Sequence, residues 1–184
     1  VCCVFANAGC WFLAEDTNQQ APPKNYSHSV STVKFFDRVS SNNYATNFAW
    51  WDSTGNVHEL RENYGKVIVL NFWSTWCKPC VAERNTLNQV RTEFGDSITV
   101  IGITLNESLA GANAVLPVQA FVDSVGITYQ QIIGTSELSY SYGGIEILPT
   151  TTVISPGLKL IATMQGEQTV ESLEKAIRRA YTSK

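Results

Sequence analysis

Histidine is scarce in this sequence. The 184 residues hold only His28 and His58, both before residue 60. That leaves little material for a histidine-based metal site or a Ser–His triad. Basic charge is not in excess either. Thirteen Lys and Arg stand against 16 Asp and Glu, a formal net charge of −3. With no surplus of cations to neutralise phosphates, nucleic acid is not an expected partner. No apolar run reaches the ~18–20 residues that a bilayer-crossing helix needs. No internal repeat and no low-complexity segment is present. Cysteine is not scattered as in a disulfide scaffold: Cys2, Cys3 and Cys10 sit within the first ten residues, and Cys77 and Cys80 form one C-x-x-C pair. What remains is a 20.3 kDa chain, 44% hydrophobic and 16% charged, with the size and composition of one folded domain plus an extension.

Residues 1–14 (VCCVFANAGCWFLA) are apolar and carry no initiating Met, as expected of a signal or anchor remnant. Ala6-Asn7-Ala8 resembles a small-x-small cleavage site, and Ala8-Gly9-Cys10 resembles the end of a lipobox, in which Cys10 would be lipidated. Asn7 departs from that second pattern. Residues 15–44 are read as a polar tether, containing Pro22-Pro23, and an N-terminal extension. A tether after an apolar start suits a protein held near a membrane surface. Residues 45–184 are then the folded domain.

Within it, residues 48–60 (FAWWDSTGNVHEL) predict a β-hairpin turning at 52–55, followed by a short connector closed by Gly65. Residues 67–73 (VIVLNFW) form a nearly continuous apolar run, the pattern of a strand buried on both faces. A helix is predicted over 77–94, with Leu87, Val90 and Phe94 at helical spacing and Gly95 at its end. A second buried strand over 97–105 completes a right-handed βαβ unit with a parallel pair. A helix follows over 115–125, with Pro117 in its first turn, then a short strand over 129–133. Strands over 150–154 and 158–163 are joined by Ser155-Pro156-Gly157-Leu158, whose Gly suits the third position of a type II turn. Thr169 is the expected N-cap of a last helix that buries Val170, Leu173, Ile177 and Tyr181 and pairs Glu171/Lys175 and Glu174/Arg178 outside. The order predicts an α/β fold with a mixed central sheet.

The chemistry lies in Cys77-Lys78-Pro79-Cys80, where a buried strand passes into a helix. Cys77 falls at the helix start, where unpaired N–H groups and the helix dipole favour a thiolate, and Lys78 adds a positive charge. Cys80 is within reach across one turn, so a disulfide can form and break without moving the fold. Cys77 is expected to be the more exposed nucleophile and Cys80 the shielded resolving thiol. A structural zinc site would need two more ligands, and no Cys or His follows Cys80.

Asn71-Phe72-Trp73-Ser74-Thr75-Trp76-Cys77-Lys78-Pro79-Cys80 resembles the active-site signature of the thioredoxin superfamily. Leu148-Pro149-Thr150 resembles the cis-proline segment that faces the C-x-x-C pair in that fold. Within the superfamily, the chain is most similar to the TlpA/ResA-like, membrane-associated thioredoxins of bacteria. The likeness covers about residues 45–181 and rests on the N-terminal hairpin, a long stretch over 101–133 that resembles that group's central insertion, and Glu83 three residues after Cys80. The resemblance implies a thioredoxin fold and a client-facing set of Trp76, Lys78, Pro79, Leu148, Pro149 and Thr150, with the loop's backbone pairing with the client like an added strand. Trp73 is expected in the core, and Trp50 and Trp51 in hairpin packing. Tyr140 and Tyr142 are candidates for the contact groove.

Asn71 stands where thioredoxins usually have a buried Asp, and Asn cannot accept a proton near neutral pH. Glu83 is therefore the candidate for buried acid–base help. Its alternative is a solvated helix residue paired with Arg84 or Arg91. The implied function is thiol–disulfide exchange with client proteins through Cys77 and Cys80, with no cofactor beyond that redox-active pair. The family setting is extracytoplasmic and bacterial, with recharging by a membrane thiol–disulfide electron donor and clients that include apocytochrome c. The reducing direction is favoured. The alternatives are a disulfide-donating oxidase, a copper-binding protein on the same fold, or a peroxidase. Copper proteins of this kind usually use C-x-x-x-C and a distal His, and peroxidatic relatives a single Cys in a Thr/Pro-rich loop; this chain has neither.

Overall fold

A computed structural model describes residues 30–36, 43–52, 54–107 and 111–183. The remnant expected over 1–14, with Cys2, Cys3 and Cys10, and most of the tether lie outside the described residues. The elements in chain order are strands β1 (Val30–Phe36), β2 (Phe48–Trp51), β3 (Val57–Glu59) and β4 (Val67–Trp73), helix α1 (Lys78–Phe94), β5 (Ile98–Thr104), α2 (Val115–Val125), β6 (Gln130–Ile133), α3 (Ser136–Ser141), β7 (Thr150–Ile154), β8 (Leu160–Gln165) and α4 (Val170–Thr182). The strands form one mixed sheet in the order β3-β2-β1-β6-β5-β4-β7-β8.

Strand β4 lies inside that sheet. It runs parallel to β5 along its whole length and antiparallel to β7 from Ile68 to Phe72. All seven of its residues are buried. Alternation sends its side chains to two cores. Val67, Val69 and Trp73 join Leu87 and Val90 of α1 and Leu173, Ala176, Ile177 and Ala180 of α4. Ile68, Leu70 and Phe72 join Phe48, Trp50, Leu60, Leu138 and Tyr142 on the other face. Each such aliphatic burial contributes roughly 1.5–3 kcal/mol. The hairpin and α3 thus close the face that helices α1 and α4 leave open.

Strand β1 falls within the range read as an extension. It pairs parallel with β6 and antiparallel with β2, so the sheet begins upstream of residue 45. Val30 is buried, and its N–H donates to Gln119 Oε1 of α2 at 2.7 Å. The long stretch after β5 supplies both α2 and β6, and both hold β1. This partnership spans about 90–100 residues, so local patterning did not reveal it.

Two local expectations change. Between β7 and β8, the positive φ falls on Leu158 (63°) and not on Gly157, while the Leu158 N–H donates to the Ser155 carbonyl at 2.9 Å. The Ser155 N–H donates to the Lys159 carbonyl at 2.8 Å, so the loop has three residues and ends in a left-handed position, not a type II turn. Tyr181 of α4 is exposed, its hydroxyl donating to the Ser97 carbonyl, and Ala176 and Ala180 complete the buried stripe instead. The Thr169 cap forms as expected, with Ser172 closing a reciprocal capping box. Glu174 and Arg178 approach to 3.7 Å.

The β2–β3 turn is organised by Asp52, which accepts from the Thr54 N–H, the Thr54 hydroxyl and the Asn56 N–H. These bonds, the Thr54 hydroxyl's first, hold its carboxyl well below the usual range. His58 lies between Asp52 (3.1 Å) and Glu62 (3.2 Å), and the bond to Asp52 raises its pKa above the ordinary value. A histidine with a raised folded pKa stabilises the hairpin fully below about pH 6.5 and loses that stabilisation as pH rises through the higher value. The imidazole is partly exposed, so the effect is screened by salt. The expected result is a Tm that declines between pH 6 and 8 by an amount that shrinks in 1 M NaCl and in His58→Gln. Thermal scans at both pH values check it.

Candidate active site

β4 ends at Trp73, and three residues, Ser74-Thr75-Trp76, carry the chain to Cys77. Cys77 is the N-cap of α1, and its Sγ accepts from the Cys80 N–H at 3.3 Å. Pro79 sits in the first turn, where its missing N–H leaves no helical bond unmade. Cys77 and Cys80 are joined as a disulfide, S–S 2.08 Å, with Cα atoms 5.3 Å apart. Both are buried, 5% and 3% exposed, so the expected difference in exposure is absent in this oxidised form. What faces outward around them is Trp76 (62% exposed), with Lys78 and Pro79.

The Leu148–Pro149 peptide bond is cis. β7 starts at Thr150, which pairs with Phe72, so register brings the cis-proline to the end of the sheet where β4 hands over to Cys77. Pro149 is buried, and its carbonyl accepts from the Gly166 N–H at 2.8 Å. Leu148 is half-buried and Ile147 exposed. Thr150, expected among the client-facing residues, is buried; its hydroxyl donates to the Ile147 carbonyl at 2.7 Å. It supports the loop from inside.

Trp73 is in the core, with its indole N–H on Gln131 Oε1 at 2.8 Å. Trp50 packs in the hairpin core, and Lys34 lies 4.7 Å over the Trp51 ring. Tyr142 is buried against Phe48 and Phe72, its hydroxyl donating to the Thr46 carbonyl, so it belongs to the core and not to a groove. Tyr140, 82% exposed, lines a cleft of about 480 Å³ with Glu107, Glu137 and Glu146.

Glu83 is fully buried. α1 buries Cys80, Glu83, Leu87 and Val90, a 3-4-3 stripe in which Glu83 lies one turn from Cys80 on the same face. Asn71 Nδ2 donates to Glu83 Oε2 at 2.7 Å and to Thr151 Oγ1 at 3.0 Å. Oε1 accepts from the Gln168 N–H (3.1 Å) and the Thr151 hydroxyl (3.4 Å). Arg84 and Arg91 turn away, to the Val125 carbonyl and the Thr128 hydroxyl, so neither pairs with it. Burial pushes the Glu83 carboxyl up to about 7, against the lowering bonds from Gln168, Asn71 and Thr151. A group with that value can take and return a proton at neutral pH. The site also explains Asn71. An aspartate there would set two carboxylates at hydrogen-bond distance inside the core, whereas the amide donates to both oxygen partners.

A disulfide at a helix N-cap, a cis-proline at the same end of the sheet and a buried carboxyl one helical turn from Cys80 define a thioredoxin-fold thiol–disulfide oxidoreductase. The chain belongs to the AhpC/TSA family, which matches residues 42–163. It is 30% identical over 136 residues to the thiol-disulfide oxidoreductase ResA of Bacillus anthracis, covering 73% of this chain and 75% of that protein. Solved structures share the fold: a DsbF homologue from Corynebacterium diphtheriae (32% identity, 68% of this chain and 79% of that one, TM-score 0.59) and a thioredoxin-family thiol:disulfide interchange protein from Chlorobium tepidum (24%, 77% and 98%, TM-score 0.65).

Glu83→Gln keeps the shape and removes the titration. A carboxyl with a raised folded pKa binds more protons folded than unfolded, so stability falls as pH rises from 4.5 to about 7. The loss is on the order of 3 kcal/mol across that window. In Glu83→Gln this part of the slope should vanish, leaving the smaller, salt-sensitive part from His58, and resolution of the mixed disulfide should slow at least about tenfold. Urea unfolding at pH 4.5 and 8 and single-turnover kinetics check the two expectations.

Proposed function

We propose that this oxidoreductase works as a reductase of protein disulfides. The Cys77 thiolate attacks one sulfur of a client disulfide, forming a mixed disulfide and releasing the other client sulfur as a thiolate that takes a proton. The Cys80 proton passes to Glu83, and the Cys80 thiolate attacks Cys77 Sγ, expelling the second client thiolate. Two electrons leave the protein and its own disulfide forms. An external dithiol donor must reduce that disulfide before the next turn.

Glu83 carries the choice of direction. Once ionised, its carboxylate lies behind the cysteine pair with no cationic partner among the described residues, which disfavours a thiolate beside it. A strong disulfide donor needs the opposite, a stabilised reduced form. Thiol- or disulfide-bearing proteins are the client class. The ResA likeness supports an extracytoplasmic setting, a membrane-held dithiol donor, an N-terminal anchor before the sheet, and apocytochrome c cysteines as one client. The residues that this reading assigns to client contact are Trp76, Lys78, Pro79 and the backbone of Leu148, with Pro149 shaping the loop beside it. No dissociable cofactor is required.

The test is the reduction potential of the Cys77/Cys80 pair in the full chain with Cys2, Cys3 and Cys10 replaced by Ser. A start at Ser31 would remove the buried Val30. A potential near or below about −250 mV is expected, and one near about −120 mV would make the protein a disulfide donor.

A further inference from the structure

The loop between β4 and α1 is tied, residue by residue, to the three residues that follow β5. The Leu105 N–H donates to the Trp73 carbonyl at 2.8 Å. The Ser74 hydroxyl donates to the Leu105 carbonyl. The Trp76 indole N–H donates to the Asn106 carbonyl at 3.0 Å. Between these, Glu107 takes Thr75 with both carboxylate oxygens: Oε1 accepts the Thr75 N–H at 2.8 Å and Oε2 accepts the Thr75 hydroxyl at 2.6 Å. Asn106 makes this possible. Its φ of 57° turns the chain so that its own carbonyl meets Trp76 while the next side chain returns to Thr75, and Asn tolerates that conformation better than most residues.

We infer that Glu107 is a positioning residue for thiol–disulfide exchange: its two-oxygen grip on Thr75 holds Cys77 at the helix N-cap and Trp76 at the client face. Among the described residues the loop has no other charged anchor. Its remaining ties end on backbone carbonyls or start from a backbone N–H, whereas bonds to a carboxylate are the stronger, shorter kind. The need is specific to this chemistry. Within each turnover the Cys77 sulfur must bond first to a client sulfur and then to Cys80, before the donor dithiol frees it again, with that sulfur kept in line each time. A loop held only through Cys77 itself would loosen whenever that sulfur changed partner. A displacement of about 1 Å at a reacting atom can cost on the order of 10²-fold in rate. Glu107 is half-buried at the edge of the Tyr140 cleft, so client contact there bears on the same clamp.

This role rests on the exchange activity, and one experiment separates the two. The probe is a synthetic peptide with an intramolecular Cys-x-x-Cys disulfide. The second-order rate of its reaction with the reduced full chain is measured from pH 5 to 9, for the wild type, Glu107→Ala, Glu107→Gln and Thr75→Ala. Glutamine can still accept the Thr75 N–H and can donate to its hydroxyl, so geometry survives and charge is lost. The expected result is a loss of about tenfold for Glu107→Ala, with its pH–rate profile moved to higher pH because the N-cap contact that favours the Cys77 thiolate is loosened. Glu107→Gln should stay within about threefold of wild type with no upward shift, and Thr75→Ala, which keeps the N–H bond, should fall between. Lys78, Glu83, Glu137 and Glu146 are unchanged throughout. Equal downward pH shifts in both Glu107 variants would show a purely electrostatic role and overturn the inference. So would a wild-type rate in Glu107→Ala, or a Gln variant no better than Ala. If Glu107→Ala does not fold, the Gln and Thr75 variants decide by the same criteria. A wild type inert toward the peptide would instead overturn the exchange reading itself.

Discussion

The site depends on one strand being paired on both edges and buried on both faces. β4 satisfies its backbone through β5 and β7 and its side chains through two cores, so its C-terminal end is held from four sides. A chain leaving such a strand starts from a fixed point. The helix that follows can then place Cys77 at its N-cap and Cys80 one turn inside. The antiparallel register of β7 delivers the cis-proline to the same end of the sheet without any contact being specified near the cysteines.

The cost of burying β4 so completely appears at its one polar residue. Asn71 carries an amide into the core, and unpaired polar groups there are expensive. Thr151, its register partner on β7, accepts one hydrogen of the amide, and Glu83 of α1 accepts the other. The amide thereby stabilises a carboxyl that would otherwise be a burial penalty, while burial itself keeps that carboxyl's proton affinity raised. The bond that satisfies the strand's one buried amide also holds the Glu83 carboxyl in place.

Much of this was legible in local pattern. The apolar run of β4, the helical stripe of α1, the Thr169 cap and the C-x-x-C pair at a strand–helix boundary are short-range signals, and each element formed within a residue or two of its expected place. β1 was not legible, because seven residues with no turn signal of their own become a strand only against β6 and β2. α3 was missed for a like reason. It has six residues, and its one fully buried side chain, Leu138, has meaning only under the sheet. At the β7–β8 turn local preference and structure part: Pro-Gly favours type II locally, while strand register demands a three-residue loop with Leu158 left-handed.

The amino-acid sequence by itself determined the chemistry: which atoms exchange, that they lie at a helix start, and that no other residue type present could replace them. Those facts depend on spacing along the chain. Tertiary structure decided the environment: that Glu83 is buried and unpaired with arginine, that Tyr142 is core while Tyr140 is exposed, and that Glu107 reaches back over 32 residues to grip Thr75. Burial and long-range hydrogen bonds are properties of packed neighbours, and a neighbour brought close by folding leaves no periodic trace in the residues around it.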